Sequence, residues 1–282
     1  MSTATPTRGL GSRRALGLSP DVSAGLKAIQ RGAEQYLVRA VGFANALQAP
    51  PYPPETVHKL RTHLRRLQAY AEFSERPVIA TRLDHCVKWL SGLRGLDVFQ
   101  RYLRRRGSVF QDLGRVGEAL REEERSVARA GYLGAIRAVL VTTSIARIRR
   151  PASFMTDRLA SLGRDQAVRL VDALSGLSPE ATRKELHRLR LLVKSLRYQE
   201  EIAQNTVWGG PQRLAALQRL QRTLGDYCDL DQFRRLAKKM DLVSRNEIKK
   251  EYRRCRTRAR AAVRKLGPPG LWPNVPPTGE GI

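Results

Sequence analysis

The segment VHKLRTHLRRLQAYAEF, residues 57–73, recurs in altered form as LHRLRLLVKSLRYQEEI, residues 186–202. Aligned at His58 and His187, the copies share an apolar residue, His, Leu, Arg and a second basic residue at fixed spacing. The first copy supplies Val57, His58, Leu60, Arg61 and Arg65, and the second Leu186, His187, Leu189, Arg190 and Lys194. At 3.6 residues per turn, offsets of three and seven return to within about 60° and 20° of the starting direction. Each copy therefore reads as a helix with a basic stripe. A parallel apolar stripe (Val57, Leu60, Leu64 and Leu67; Leu186, Leu189, Val193 and Leu196) lies roughly 110° away and marks the core face. A strand reading would scatter both stripes.

The duplication continues downstream. LDHCVKWLSGLRGLDVF (83–99) aligns with LQRLQRTLGDYCDLDQF (217–233), matching Lys88 to Arg222, His85 to Arg219, Asp97 to Asp231 and Phe99 to Phe233. His187 follows His58 by 129 positions and Asp231 follows Asp97 by 134, so the intervening stretch gained five residues. A period this long excludes a solenoid. It fits an all-α chain of two antiparallel helical bundles related by a pseudo-two-fold axis.

Punctuation sets the expected elements. Ser19-Pro20 starts a helix that APPYPP (49–54) breaks; the His58 helix ends near Arg76-Pro77; a third runs over about 78–91. After Gly92 comes LRGLDVFQRYLRRR, then a polar helix to about residue 130, stopped by Gly131. AIRAVLVTTSIARI is rich in β-branched residues but lacks alternation, and is assigned as a buried helix ended by Pro151. A further helix reaches about Leu174, Ser178-Pro179 opens the His187 helix, Gly209-Gly210-Pro211 closes it, and helix continues to Leu266. The expected organisation is a basic tail (1–19), a helical domain (20–266, with repeat halves of about 20–150 and 151–266), and a Pro/Gly-rich tail (267–282).

Charge narrows the partners. The 282 residues carry 52 Lys and Arg against 26 Asp and Glu, a formal net charge of +26. Such a surplus calls for polyanionic company: nucleic acid, inorganic polyphosphate or an anionic membrane surface. Cys86, Cys228 and Cys255 are too few and scattered for a disulfide framework and fit free thiols in a reducing compartment. No apolar run reaches membrane-spanning length. The first twenty residues hold Arg8, Arg13 and Arg14 with no acidic residue, as a disordered basic tail or an organellar transit peptide would.

The paired basic stripes are the candidate anion site. Guanidinium forks donate two hydrogen bonds to two phosphate oxygens. Each histidine can donate to a phosphate oxygen or bond a backbone carbonyl and hold the helices in register. Arg66 flanks the first helix, and Arg197 lies near the Arg190 direction on the second, where Gln68 is its counterpart. Lys88, Arg219 and Arg222 form a second tier. Asp97 and Asp231 read as helix caps or arginine-orienting groups more readily than as catalytic carboxylates. His58 and His63 do not share a face, His85-Cys86 diverge, and neither Cys-x-x-Cys nor a phosphate-cradling glycine loop occurs. These residues support no catalytic site, metal or cofactor.

The two histidine helices, with LRGLDVF and LGDYCDLDQF after them, resemble the conserved-histidine α-helical domain (CHAD) family over about residues 20–266. The resemblance implies two four-helix bundles around a central basic groove or pore. It also implies inorganic polyphosphate as partner, held by His58, Arg61, Arg65, Arg66, His187, Arg190, Lys194 and Arg197. Ser195, Gln68 and Gly95 depart from the family's usual basic residue, arginine and aspartate. Family members often sit beside a triphosphate-tunnel enzyme domain; these 282 residues leave no room for one, so a standalone domain is expected. Relatives point to a cytoplasmic location, at polyphosphate or polyhydroxyalkanoate granules, and to no membrane partner. Two other readings stand beside this one: a nonspecific nucleic-acid-binding protein, and a triphosphate or polyphosphate hydrolase needing a metal–carboxylate cluster.

Overall fold

In the computed structural model the described residues are 20–178, 180–204, 206 and 209–265. They form eleven helices and no strand: α1 (Pro20–Ala46), α2 (Pro54–Phe73), α3 (Pro77–Trp89), α4 (Ser91–Arg105), α5 (Phe110–Arg129), α6 (Tyr132–Thr142), α7 (Ile145–Ile148), α8 (Ala152–Ser175), α9 (Arg183–Ala203), α10 (Pro211–Lys239) and α11 (Arg245–Lys265). The expected tails, with Ser19, Pro179 and Leu266, lie outside the described residues. No helix among them is long and apolar enough to cross a membrane.

Proline sits in the first turn of α2, α3 and α10, where its missing N–H costs nothing. The His187 helix begins later than the Ser178-Pro179 signal suggested. Its N-cap is Thr182, whose hydroxyl accepts from the Glu185 backbone N–H while the Glu185 carboxylate accepts from Thr182 N–H. That reciprocal box satisfies two otherwise orphaned donors, a local advantage that Ser178 does not have. AIRAVLVTTSIARI is helical but broken, because Thr143 is extended (ψ 114°) between α6 and α7. Leu133, Ile136, Leu140, Ile145 and Ile148 are buried, whereas Val141 faces solvent. Gly131 takes a left-handed φ of 66° between α5 and α6, a conformation that a side chain would strain.

Both apolar stripes are buried in full: Val57, Leu60, Leu64 and Leu67 on α2, and Leu186, Leu189, Val193 and Leu196 on α9. Each contributes about 2 kcal/mol of hydrophobic stabilisation. The core divides into two clusters that cross the repeat boundary. One joins α1, α2, α3, α6 and α7 to Leu93 of α4, Val127 of α5, Ala203 of α9, and Met155, Leu159 and Leu162 of α8. The other joins α9, α10 and α11 to Ala167 and Leu170 of α8, and to Phe99, Leu103 and Val116 of α4 and α5. Packing units and repeat halves therefore differ, since α4, α5, α8 and α9 each contribute to both clusters. Phe99 and Phe233, matched in the duplication, stack with ring centroids 4.9 Å apart. α2 also packs directly on α9, which brings the two histidine helices together.

Buried carboxylates tie the ends of elements. Asp112 accepts from Val243 N–H (2.9 Å), Ser244 N–H (3.0 Å) and the Ser244 hydroxyl (2.6 Å), fixing α5 to the α10–α11 turn. Glu200 accepts from Gly210 N–H and Arg213, closing the α9–α10 connection.

Candidate functional site

Where α2 and α9 meet, a cavity of about 1300 Å³ opens, lined also by α3, α4 and α10. Twelve Lys and Arg line it against four Asp and Glu, so the surplus is eight positive charges before His58 and His187 are counted. His58, Arg61, Arg65, Arg66, Lys88, His187, Arg190, Lys194 and Arg197 all contribute to the wall. Arg219 and Arg222 do not line it; both are exposed on α10. The face of α10 turned to the cavity carries Gln221, Cys228 and Asp229 instead, so the sequence match of Arg222 to Lys88 does not extend to position.

Seven of the lining cations are partly buried, and they fall into two groups. Arg65 donates to Asp84 (2.8 Å) and Gln68 (2.7 Å), Arg94 to Asp97 (2.7 Å), and Arg66 faces Glu201 at 3.5 Å. Arg190 lies 3.9 Å from Asp229, and Arg197 pairs with Glu201 and donates to Gln221 (2.6 Å). Arg61 and Lys194 have no carboxylate partner among the described residues, and Nη1 of Arg61 is buried with no hydrogen bond at all. Withdrawing a cation from water without a counterion is costly. Burial is the main cause of a fall in the Arg61 guanidinium to about 10, with Arg65, Arg94 and Arg190 adding repulsion. Burial likewise brings the Lys194 ammonium down to about 7, reinforced by Arg65, Arg190, Arg61 and Arg197. Lys194 stands 5.9 Å from the centre of the Tyr198 ring, and Arg197 lies 4.1 Å from it. Tyr198 thus holds cations on its π-face.

Neither histidine bonds a backbone carbonyl among the described residues. His187 Nδ1 lies 3.9 Å from Cys228 Sγ, and the backbone carbonyl of His58 accepts from the Thr62 hydroxyl (3.0 Å). Burial lowers both imidazoles, with Arg94 the next cause at His58 and Arg190 at His187. Asp97 and Asp231 are buried and hold arginines: Arg94 and Arg101, each at 2.7 Å, on the first; Arg234 (3.1 Å), Arg235 (3.2 Å) and Arg183 (3.4 Å) on the second. They are arginine-orienting groups. His85 lies outside this cavity and lines a shallower one with Lys88. Among the described residues no three His, Cys, Asp or Glu side chains are grouped to hold a metal ion. The cysteines are free, and burial pushes Cys228 up to about 11.

Sequence reasoning missed Arg94, Asp84 and Asp229. Arg94 is matched to Cys228, Asp84 to Gln218 and Asp229 to Gly95, so a search for features shared by both copies passes over all three.

No curated protein matches the chain. One solved structure, the crystal structure of the CHAD domain from the plant Ricinus communis, is similar over 92% of both chains, with a TM-score of 0.53 and 18% identity, a likeness of fold. The CHAD domain family model matches residues 44–238, which contain α2 to α9, α10 but for Lys239, and every lining residue of the cavity. The chain belongs to the CHAD domain family.

Proposed function

We propose that the protein binds inorganic polyphosphate in the cavity between α2 and α9 and performs no chemistry on it. The observation that carries this reading is the pair of partly buried, carboxylate-free cations, Arg61 and Lys194, inside a wall with eight surplus positive charges. An anionic ligand offsets that desolvated charge. A polyphosphate chain supplies about one negative charge per phosphate and presents no bases. Tyr198 supports this choice, because its ring is engaged by Lys194 and Arg197 and is not free to stack on a base. The family resemblance, which implies polyphosphate as partner, points the same way, and with it an association with polyphosphate or polyhydroxyalkanoate granules in the cytoplasm.

The competing reading is nonspecific nucleic-acid binding, and one feature favours it. α11 exposes Arg245, Lys249, Lys250, Arg253, Arg254, Arg256, Arg258, Arg264 and Lys265 away from the cavity. A cationic surface of this kind suffices for salt-sensitive backbone binding. Titration with long-chain polyphosphate, single-stranded RNA and duplex DNA at one ionic strength separates the two. Tighter polyphosphate binding is expected; equal or tighter RNA binding would sink the proposal.

A further inference from the structure

The two copies of the site carry their carboxylates in different places. Arg61 and Arg190 are repeat-mates, as are Arg65 and Lys194. Arg190 has Asp229, but the residue matched to Asp229 in the first copy is Gly95. Arg65 has Asp84, but the residue matched to Asp84 in the second copy is Gln218. One cation in each copy is therefore neutralised and the other is left bare, with the bare cation at a different step of the stripe in each helix. The bare ones, Arg61 and Lys194, repel each other across the α2–α9 junction. Gly95 does more than omit a carboxylate. A Cβ there would lie 2.2 Å from Nε2 of Gln232, so the missing side chain lets a neutral amide from the other copy occupy the place.

We propose that the anion site is asymmetric, with Arg61 and Lys194 forming one high-affinity subsite because Gly95 and Gln218 carry no carboxylate, and Arg65 and Arg190 contributing only weakly. This rests on the polyphosphate reading and specifies which cations carry it. A bound phosphate competes with Asp84 for Arg65 and with Asp229 for Arg190, whereas Arg61 and Lys194 are ion-paired with no carboxylate among the described residues, Asp229 acting on Lys194 only through its field. Displacing an internal carboxylate opposes binding at Arg65 and Arg190 and does not at Arg61 and Lys194, and this difference decides the ranking.

The test places a carboxylate at position 95, where the second copy has Asp229. Gly95→Asp is compared with Gly95→Asn, which displaces the flexible Gln232 side chain equally but adds no charge. Gln221→Glu is the control: it adds the same charge to the same cavity beside Arg197, which Glu201 already neutralises. With long-chain polyphosphate at fixed ionic strength, Gly95→Asp binds about tenfold more weakly than Gly95→Asn, and Gln221→Glu weakens binding by less than about threefold. In an Arg61→Met background the Asp/Asn difference disappears. Equal losses in Gly95→Asp and Gln221→Glu would overturn the asymmetry while leaving polyphosphate binding intact; absence of polyphosphate binding by the unmodified protein would instead overturn the functional reading. Should Gly95→Asp fail to fold, Lys194→Met and Lys88→Met make the comparison, because Lys88 shares Asp84 with Arg65 and its removal leaves no carboxylate unpaired. Lys194→Met then costs about tenfold more than Lys88→Met, and equal costs reject the proposal.

Discussion

Lys194 links polyanion binding to pH. Its ammonium titrates at about 7 in the free protein, against an ordinary 10.5, because burial and four neighbouring guanidinium groups oppose its charge. At about pH 8 roughly nine molecules in ten then carry a neutral Lys194. A phosphate placed against it restores the charge, so binding at that pH takes up close to one proton, and about half a proton near pH 7. Affinity for long-chain polyphosphate, whose internal phosphates stay singly ionised over this range, falls by about tenfold per pH unit above pH 8 and levels off towards pH 6. The free protein responds in the opposite sense. Its unfolded chain binds the extra proton between about pH 7 and 10.5, so folding stability contributed by this group rises as pH increases through that window. Isothermal titration at about pH 8 in two buffers of different ionisation enthalpy measures the proton directly. Lys194→Arg, which keeps the charge but does not titrate there, abolishes the uptake. Uptake below about 0.2 proton, or uptake unchanged in Lys194→Arg, would refute the linkage.

Three further outcomes are expected. Arg61→Glu reduces polyphosphate affinity by about 100-fold, whereas Arg222→Glu and Arg219→Glu, on the exposed face of α10, change it by less than about threefold; equal losses in a binding titration would place the ligand elsewhere. Thr182→Ala lowers stability by about 1 kcal/mol in urea denaturation through loss of the α9 capping box, and an unchanged midpoint would show that the cap adds nothing. His63, buried between Phe43 (5.5 Å) and Tyr36 (5.8 Å), is pushed down to about 4 from 6.5, chiefly by burial. The stability it contributes is complete above about pH 6.5 and is lost as pH falls towards 4. His63→Phe flattens that slope in melting temperature against pH; an unaltered slope would exclude His63 as its source.

The stripes of α2 and α9 were legible because periodicity and duplication are properties of the chain itself. His58, Arg61, Arg65, His187, Arg190 and Lys194 were read from one alignment, and the structure brings them to one cavity. Arg219 and Arg222 show the limit of that reasoning. Matching to His85 and Lys88 says nothing about helix rotation, and α10 is one continuous helix where the first copy is split into α3 and α4 at Leu90. The crossing of the two cores by α4, α5, α8 and α9 was also invisible, because which cluster Phe99 or Met155 joins depends on long-range packing. Asp84 and Asp229 escaped notice for a related reason. Each neutralises a cation of its own copy and is absent from the other, so the difference between the repeats, more than their likeness, determines which cations stand bare.

The most direct measurement is a crystal structure with a short polyphosphate, such as tripolyphosphate, bound. Phosphate oxygens are expected between α2 and α9, within hydrogen-bond distance (about 2.7–3.2 Å) of Arg61 and Lys194, with Arg65 and Arg190 still turned towards Asp84 and Asp229. A polyphosphate lying along α11 with the α2–α9 cavity empty would contradict the central claim.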